Sequence, residues 1–363
     1  MQGNGLTPKR SDNSFNSLTP KEVEHLRNLN QIYITTMKKS VLFLLMLMAG
    51  TFSFAQSKRE LVRERVDSVL RKNYEKGNFD TLYMTRPDSK LTLKLRGNVS
   101  GYYISGKNTV DGNYFRTKLN TDARATVSAA ATYYGVTAGV ALNPARLAGK
   151  NKDLELNLNF YGNRFGLEAN YQNSETLSGD IHHDDGTFHL YRGDLKMALV
   201  TVTGYYAFNY RHFSYPAAFT QSYIQKRSAG SWLVGFTCQG GRIKSTEDAP
   251  AIVSDTRLSM FSFAIGGGYG YNLVAGKWLF HVSAQPCLIV ISDNDTKLNG
   301  VKRDGDTHFP EAIVNNRAAI VYNINKKYFV GSNFLFNTTL WGDVDEYTRQ
   351  TKWRARAFVG IRL

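Results

Sequence analysis

The feature that most constrains this chain is an alternation of apolar and polar residues that recurs from residue 90 to the C-terminus. In residues 350–363 the apolar positions on one face are Trp353, Ala355, Ala357, Val359, Ile361 and Leu363. Arg354, Arg356 and Arg362 fall on the opposite face. Because successive side chains of a strand point to opposite faces, a period of two predicts a β-strand with one apolar and one polar face.

The same pattern predicts about twelve strands, each long enough for a tilted strand to cross a bilayer. The predicted strands are residues 90–104, 116–130, 133–142, 153–162, 165–173, 195–210, 229–239, 257–272, 277–291, 312–324, 327–341 and 350–363. A soluble sandwich or a lipocalin would show the same alternation with its apolar faces turned inward. Periodicity alone therefore leaves both a soluble and a membrane fold open.

The lengths of the connections favour a membrane barrel. After odd-numbered strands the gaps are long and polar: 105–115, 143–152, 174–194, 240–256, 292–311 and 342–349. After most even-numbered strands they are short, as is typical of outer-membrane barrels with long outer loops and short periplasmic turns. Lipid offers backbone groups no hydrogen bonds, so spanning strands must close into a barrel. The sequence predicts an all-β, transmembrane antiparallel barrel over residues 90–363.

The residues before the barrel predict export. Residues 1–36 are polar and form an upstream extension before a second start at Met37, although a functional cytoplasmic extension is an alternative. Residues 37–55 have the basic start, short apolar stretch and small-residue cleavage site of a signal peptide. Residues 56–89 are then a periplasmic helix, over 57–76, and a linker. We expect a protein of the Gram-negative outer membrane.

Basic residues outnumber acidic ones, 45 to 30. On the polar faces of the first, second and last strands we expect a basic sector of the lumen formed by Lys94, Arg96, Arg124, Arg354, Arg356 and Arg362. This sector could draw anions or neutralise internal carboxylates. Expected partners are outer-membrane lipids, lipopolysaccharide phosphates and the barrel-assembly machinery during insertion. Without an aromatic–basic binding module we expect no nucleic acid, and the oligomeric state stays open.

One even-numbered connection, residues 212–228, is too long and too aromatic for a simple turn. We predict that it folds into the lumen as a plug or covers the periplasmic mouth as a cap, with an ordinary loop as the alternative. The plug or cap residues are Phe213, Tyr215, Pro216, Phe219, Gln221, Gln225, Lys226 and Arg227. In that position Lys226 and Arg227 could pair with lumen carboxylates such as Asp122, Glu155 or Glu168. A plugged barrel narrower than the porins would conduct poorly.

The segment FSYPAAFTQSYIQKRSAGSWLVGF, residues 213–236, resembles the most characteristic stretch of a domain-of-unknown-function family of Bacteroidota outer-membrane proteins. Residues 78–96 resemble the start of the same family, so the resemblance covers residues 78–363. It implies an outer-membrane barrel and no established activity, and no catalytic residue is carried over. The last residue, Leu363, departs from the aromatic residue that ends many such barrels.

Two weaker chemical patterns are present. His281 and Ser283 share one side of a strand, and a Ser–His pair with a third orienting group is the requirement for a barrel-embedded lipid hydrolase. His182, His183, Asp184 and Asp185 cluster in a polar connection and could hold a metal. A solvated loop accounts for the second pattern equally well, and we expect neither a cofactor nor a metal.

The sequence thus predicts a barrel with a structural or solute-passage role. The alternatives are a barrel-embedded lipid hydrolase, and a surface-binding barrel that acts through its long outer loops. The two cysteines, Cys238 and Cys287, fall on strands that are not neighbours, so we expect free thiols.

Overall fold

The computed structural model describes residues 64–65, 67–68, 71–72, 78–110, 112–133, 136–149, 153–184, 186–298, 301–304, 311–342 and 346–363. The predicted upstream extension and signal peptide lie outside the described residues, as does most of the predicted helix over 57–76. The chain divides into two compact units, 1–73 and 74–363, and all of the strands belong to the second.

Sixteen strands are described, and every pairing between them is antiparallel. They are β1 (Met84–Thr85), β2 (Leu91–Val110), β3 (Asn113–Asn120), β4 (Arg124–Tyr133), β5 (Val136–Leu142), β6 (Leu154–Tyr161), β7 (Phe165–His183), β8 (Gly186–Ala207), β9 (Ile224–Gln225), β10 (Ala229–Ser245), β11 (Arg257–Ala275), β12 (Trp278–Leu298), β13 (Val301–Asp304), β14 (Ala312–Asn323), β15 (Tyr328–Gly342) and β16 (Tyr347–Arg362). Two short helices, α1 (Pro144–Leu147) and α2 (Tyr215–Phe219), and a 3₁₀ turn, Ala251–Val253, interrupt them. Among the described residues, no helix combines the length and apolarity needed to cross a membrane.

Ten strands form a closed ring, in the order β2, β16, β15, β14, β12, β11, β10, β8, β7, β3 and back to β2. Leu91 and Leu363 exchange backbone hydrogen bonds of 3.2 and 2.7 Å where β2 meets the C-terminus. We call this end of the ring the near end, and the opposite end the far end. The predicted antiparallel barrel is confirmed, with ten strands in the closed ring instead of about twelve.

The smaller ring has a local cause. The predicted strand 116–130 is two strands, β3 and β4, separated by residues 121–123, and both pair with β2. In the far half β3 also pairs with β7, which closes the ring. In the near half β4 pairs with β5, and β6 pairs with β7. The additional strands β4, β5 and β6 therefore fill only the near half of the wall.

Some of the predicted far-end loops are paired strands. Most of 105–115 and 174–194 belongs to the hairpins β2–β3 and β7–β8. The period-two pattern misses them because a hairpin that extends beyond the lipid has water on both faces and needs no apolar side. Asp153, which directly precedes β6, lies below the β3–β7 pairing, where its carboxylate accepts hydrogen bonds from Ser174 and Thr176, both at 2.9 Å. The predicted outer loop after β5 therefore ends within the wall and not at the far end.

The faces of the wall are those of a membrane barrel. On β12 the outward Phe280, Val282 and Leu288 are exposed, while the inward His281 and Ser283 are buried. A soluble barrel would bury the apolar set, so this arrangement excludes the soluble alternative. Inside the ring, one apolar cluster surrounds α2 at the near end, and a second lies in the far half, around Leu177, Leu190 and Met197.

Proline 286 lies within β12, where the sequence requires an irregularity. The β11–β12 register shifts by one residue between Phe263 and Ala264, close to Pro286. Across from the proline, a Cβ atom on Gly266 would collide with the Pro286 carbonyl oxygen. The glycine therefore lets β11 approach β12 closely, as expected for small residues in a strongly bent wall.

Candidate functional site

The connection 212–228 begins with the short helix α2. The Ser214 side chain accepts a hydrogen bond from the Ala217 amide at 3.2 Å, and Pro216 occupies the first turn, where it costs no hydrogen bond. Thr220 ends the helix, with its amide bonded to the Pro216 carbonyl. All five residues of α2 are buried.

The apolar side chains of this segment belong to one cluster with residues from around the ring. Phe213, Tyr215 and Phe219 pack there with Tyr205 of β8, Leu233 of β10, Leu279 of β12, Val321 of β14, Phe329 of β15 and Phe358 of β16. Because these strands surround the helix, α2 lies inside the ring at the near end. An inward Cβ on Gly270 would lie 2.9 Å from Cζ of Phe213, so this glycine leaves the space that the phenyl ring occupies.

Polar contacts hold the segment to opposite walls. Tyr215 donates from its hydroxyl to Oγ of Ser283 at 2.9 Å, and Nδ2 of Asn272 donates to the Ser214 carbonyl at 3.0 Å. From the other side, Nζ of Lys94 donates to the Thr220 carbonyl and, at 3.3 Å, to Oε1 of Gln221. Burial raises the pKa of the Tyr215 phenol, although the charge of Arg317 opposes the shift. Tyr215 is thus a neutral donor.

The end of the segment forms a cap with the residues that precede the barrel. Strand β9 pairs with β1, and Nε2 of the buried Gln225 donates to the His212 carbonyl at 2.5 Å. Lys226 and Arg227 are exposed, and Nζ of Lys226 donates to the Thr81 carbonyl at 2.7 Å. The expected pairing of Lys226 and Arg227 with lumen carboxylates is therefore wrong, because β9 directs them toward the N-terminal lead-in.

The same cap contains a stacked arginine. The Arg86 guanidinium lies 5.5 Å from the Phe79 ring centroid and 5.0 Å from that of Tyr223, and it donates to the Tyr223 hydroxyl at 2.7 Å. Such stacking on aromatic faces suits the planar guanidinium. The lead-in and the connection 212–228 thus hold each other at the near end.

The predicted basic residues lie on the inward faces of β2, β4 and β16. Arg124 pairs with Asp153 and Glu155 at 3.2 Å each, and Arg354 reaches Glu155 at 2.5 Å. Arg362 lies over the Phe329 ring, 4.5 Å from its centroid, at the near end. Arg96 and Arg356 form no ion pair with a carboxylate in the part of the chain that the structure describes.

Sequence reasoning missed two further lumen cations. Arg317 of β14 pairs with Glu168 of β7 at 2.9 Å across the interior, and Tyr161 donates to the same carboxylate at 2.7 Å. Lys352 of β16 donates to Oδ1 of Asn170. Both cations occupy inward positions of strands with a period of two. The alternation that identified Arg354 and Arg356 could therefore have identified them as well.

The middle of the lumen is narrow. Two cavities of about 30 and 10 Å³ are present there, both lined by Thr201, Asn337 and Lys352. Such a volume holds one or two water molecules. The axial path is therefore constricted by side chains in addition to the segment around α2.

His281 and Ser283 lie directly beneath the segment around α2. Nε2 of His281 is 3.1 Å from Oγ of Ser283, and Nδ1 is 2.7 Å from Oδ1 of Asn272. An amide oxygen only accepts, so this network assigns the hydrogen to Nδ1 and leaves Nε2 to accept from Ser283. The third group that orients the histidine is Asn272, which the sequence did not identify because it lies on the neighbouring strand. All three side chains are buried.

The candidate metal ligands lie in the far-end hairpin β7–β8. Nδ1 of His182 is 2.8 Å from the Thr187 hydroxyl, the His183 ring lies 4.7 Å from that of Phe115, and the Asp184 carboxylate accepts from the Tyr114 amide at 3.2 Å. Asp185 lies outside the described residues. Within the described ranges no group of three or more His, Cys, Asp or Glu side chains is arranged to hold a metal. Cys238 and Cys287 are both free.

Several solved outer-membrane proteins are similar in fold. The outer membrane protease OmpT from Escherichia coli has 8% identity and a TM-score of 0.39, with 78% of this chain and 99% of that chain covered. The outer membrane protein OprG from Pseudomonas aeruginosa has 13% identity and a TM-score of 0.26, over 75% and 96% of the two chains. The Pseudomonas putida toluene transporter TodX has 8% identity and a TM-score of 0.24, over 76% and 90%. No curated protein matches the chain.

A family model described as a domain of unknown function, DUF4421, matches residues 78–362. The match spans both the lead-in at the near end and the whole ring, and it includes the connection 212–228. The sequence-based resemblance to a domain-of-unknown-function family of barrels is thereby confirmed, and this chain belongs to the DUF4421 family.

Proposed function

We propose that this protein is an outer-membrane barrel with a structural or solute-passage role, held shut in its resting state by a plug, residues 212–228. The observation that carries the proposal is the position of α2, which is buried against strands from around the ring at the near end. In this proposal the near end faces the periplasm and the chain reaches the membrane by a cleaved signal peptide. Its partners are outer-membrane lipids, lipopolysaccharide and, during insertion, the barrel-assembly machinery.

Two features of the plug support a removable closure. Its polar anchors to the wall are neutral groups of the plug, and none of the contacts is an ion pair. They lie at Ser214, Tyr215, Thr220, Gln221, Gln225 and Ser228. The cap around Tyr223 lies outside the ring wall and is held mainly by the lead-in. Displacing the lead-in would therefore release one side of the plug.

Planar-bilayer recording tests the plug. We expect the purified wild-type barrel to be electrically silent, and a variant with residues 213–222 replaced by a short Gly-Ser linker to show discrete conductance steps. The steps should be small, because side chains narrow the middle of the lumen to cavities of about 30 and 10 Å³ around Asn337 and Lys352. The matched control replaces residues 246–255, a far-end connection of equal length, in the same way and should stay silent.

A deletion variant that folds and remains as silent as wild type would contradict the gating role of the plug. Folding is checked by the shift in gel mobility on heating and by the strand signal in circular dichroism. Large steps from the wild-type protein would contradict the closed resting state.

A lipid hydrolase is the second candidate, and the hydrogen-bonded row Asn272–His281–Ser283 favours it. An oriented histidine next to a serine is the arrangement that activates a hydroxyl nucleophile. Tyr215 covers Ser283, so this activity would require the plug to move. Hydrolysis of a p-nitrophenyl ester by the plug-deletion variant, lost on adding Ser283→Ala, would support it. No hydrolysis by either the wild type or the deletion variant would exclude it.

A further inference from the structure

A cleft passes through the near half of the wall between β5 and β6. Each of these strands pairs on one side, β5 with β4 and β6 with β7, and among the described residues no backbone pairing joins β5 to β6. Behind the gap lies a cavity of about 830 Å³. At membrane depth, unpaired strand edges are tolerated only where they line a cavity or meet protein. The gap is thus a lateral opening between the lumen and the surroundings of the barrel.

The inner wall of the cavity carries uncompensated positive charge. Arg96 of β2 and Arg356 of β16 both line it, and neither forms an ion pair in the described part of the chain. Their strands are hydrogen-bonded neighbours, with Arg96 opposite Phe358 and Arg356 opposite Asn98. Nε of Arg356 donates to Oδ1 of Asn98 at 2.6 Å, which fixes one edge of its guanidinium. Two arginines with free donors on one wall suit a phosphate group.

Two other arginines that line the same cavity are paired with carboxylates. Arg124 and Arg354 share Glu155, and Arg124 also pairs with Asp153. Internal carboxylates therefore neutralise the part of the cavity nearest β6 and leave the part at Arg96 and Arg356 positive. Within this cavity the unpaired positive charge therefore lies on the side of Arg96 and Arg356.

The rim of the cleft is apolar. Leu142 at the end of β5 and Leu156 and Leu158 of β6 line the cavity and are exposed, Leu158 by 76% of its surface. Deeper in, the cavity ends at Phe219 and Thr220 of the plug. From outside to inside, the opening thus changes from leucine side chains to guanidinium groups.

We propose that this cleft binds a membrane phospholipid, with its phosphate on Arg96 and Arg356 and its acyl chains leaving between β5 and β6 into the bilayer. The apolar rim of the cleft matches the acyl chains of an anionic amphiphile, and the cationic interior matches its charged end. The volume of the cavity fits a headgroup with its glycerol. The cleft lies in the near half, so the phospholipid comes from the periplasmic leaflet if the proposed orientation holds. Its headgroup would lie against the plug at Thr220.

Lipid binding by the purified full-length barrel tests the proposal. Dimyristoyl phosphatidylglycerol is titrated into the detergent-solubilised protein, and bound lipid is counted by native mass spectrometry. We expect one retained phosphatidylglycerol per wild-type barrel. The double variant Arg96→Gln/Arg356→Gln should bind it at least about tenfold more weakly, because two charge-assisted contacts are lost.

A control variant carries the same change of charge elsewhere. Arg242→Gln/Arg257→Gln alters two exposed arginines in the far half and should bind as the wild type does. A second pair, Leu156→Ser/Leu158→Ser, keeps the charges, changes two lipid-facing side chains and should weaken retention of the acyl chains without affecting inorganic phosphate. Heat-shifted gel mobility confirms that each variant is folded.

Two further ligands, inorganic phosphate and laurate, test whether the cleft recognises a phospholipid, a soluble anion or an acyl chain. Equal affinity for inorganic phosphate and phosphatidylglycerol would overturn the lipid proposal in favour of a soluble-anion site. Retention of laurate but not of phosphatidylglycerol would overturn the phosphate assignment. Unchanged phosphatidylglycerol binding by the Arg96→Gln/Arg356→Gln variant would overturn the site itself. The assay measures lipid binding alone, so its outcome is independent of whether the plug gates conductance.

Discussion

The two sides of this barrel are built differently. In the continuous wall, which we define as β8, β10, β11, β12, β14, β15 and β16, each strand pairs with the next over most of its length, with one register shift between β11 and β12. In the split sector, β2 to β7, the long strand β7 pairs with β3 in its far half and with β6 in its near half. The sheet therefore branches, and the cleft lies between the branches.

Their interiors differ in the same way. At mid-height the central strands of the continuous wall present neutral groups such as Thr237, Gln285 and Asn315. The split sector, with β16 closing against it, presents an ion network centred on Arg124, Asp153 and Glu155. In the continuous wall each strand is joined to the next by backbone pairing, and the buried Arg317 of β14 forms its ion pair across the lumen, with Glu168 of β7. Where that pairing is missing, buried ion pairs connect β6 to β4, through Glu155 and Arg124, and β6 to β16, through Glu155 and Arg354.

The largest effect on stability is expected from breaking this network. Arg124→Ala leaves the buried Asp153 without its cation and should lower the free energy of unfolding by about 3–5 kcal/mol, the usual cost of an uncompensated buried charge. Urea titration of the refolded barrel, followed by tryptophan fluorescence, measures the loss.

The control is the exposed pair of the same chemistry, Arg192–Asp122, whose atoms are 2.9 Å apart. Arg192→Ala should cost about 1 kcal/mol or less, because water screens the pair. Equal losses in the two variants would contradict the view that ion pairs replace backbone pairing in the split sector.

The continuous wall was the more predictable side. In β14 alternate residues are buried over 313–321, and the sequence of β16 alternates from residue 353 onward, since one face meets lipid and the other the lumen. The break at residues 121–123 shifts the inward positions from odd residues such as Leu119 in β3 to even residues such as Arg124 in β4, and the two strands take different second partners. Partner choice depends on long-range pairing, which a local pattern does not encode.

The candidate site was predictable to the same limited extent. The sequence identified the aromatic segment that contains Phe213 and Tyr215, since such a connection is too long for a turn. It also placed Lys94, Arg96 and Arg356 on inward faces. It could not show which cations are neutralised, because the carboxylates of Asp153 and Glu168 are distant in the sequence from the arginines they pair with.

A medium effect on stability is expected where β11 and β12 of the continuous wall approach each other closely. Gly266→Ala places a Cβ against the Pro286 carbonyl of the neighbouring strand and should destabilise the barrel by about 1–3 kcal/mol, as overpacking does. Gly97→Ala in the split sector is the matched control, because no atom lies within 4 Å of its Cβ position. It should be neutral, or stabilising by about 0.5 kcal/mol through reduced chain entropy. The same urea titration compares them, and a neutral Gly266→Ala would show that the two strands can separate at Pro286.

The smallest effect concerns the plug, which is anchored on both sides: through Lys94 to the split sector and through Tyr215 to the continuous wall. Tyr215→Phe removes only the hydroxyl that donates to Ser283, and Ser283 keeps its contact with His281, so no buried group loses every partner. We expect a loss of about 1 kcal/mol. The control Tyr271→Phe, on the outer face of β11, should change the free energy of unfolding by less than about 0.5 kcal/mol.

The double variant Ser283→Ala/Tyr215→Phe should lose less stability than the sum of the two single variants, because the two side chains share one hydrogen bond. If the two losses of stability are strictly additive, the Tyr215 hydroxyl does not donate to Ser283. The plug would then be held from the split sector, through Lys94.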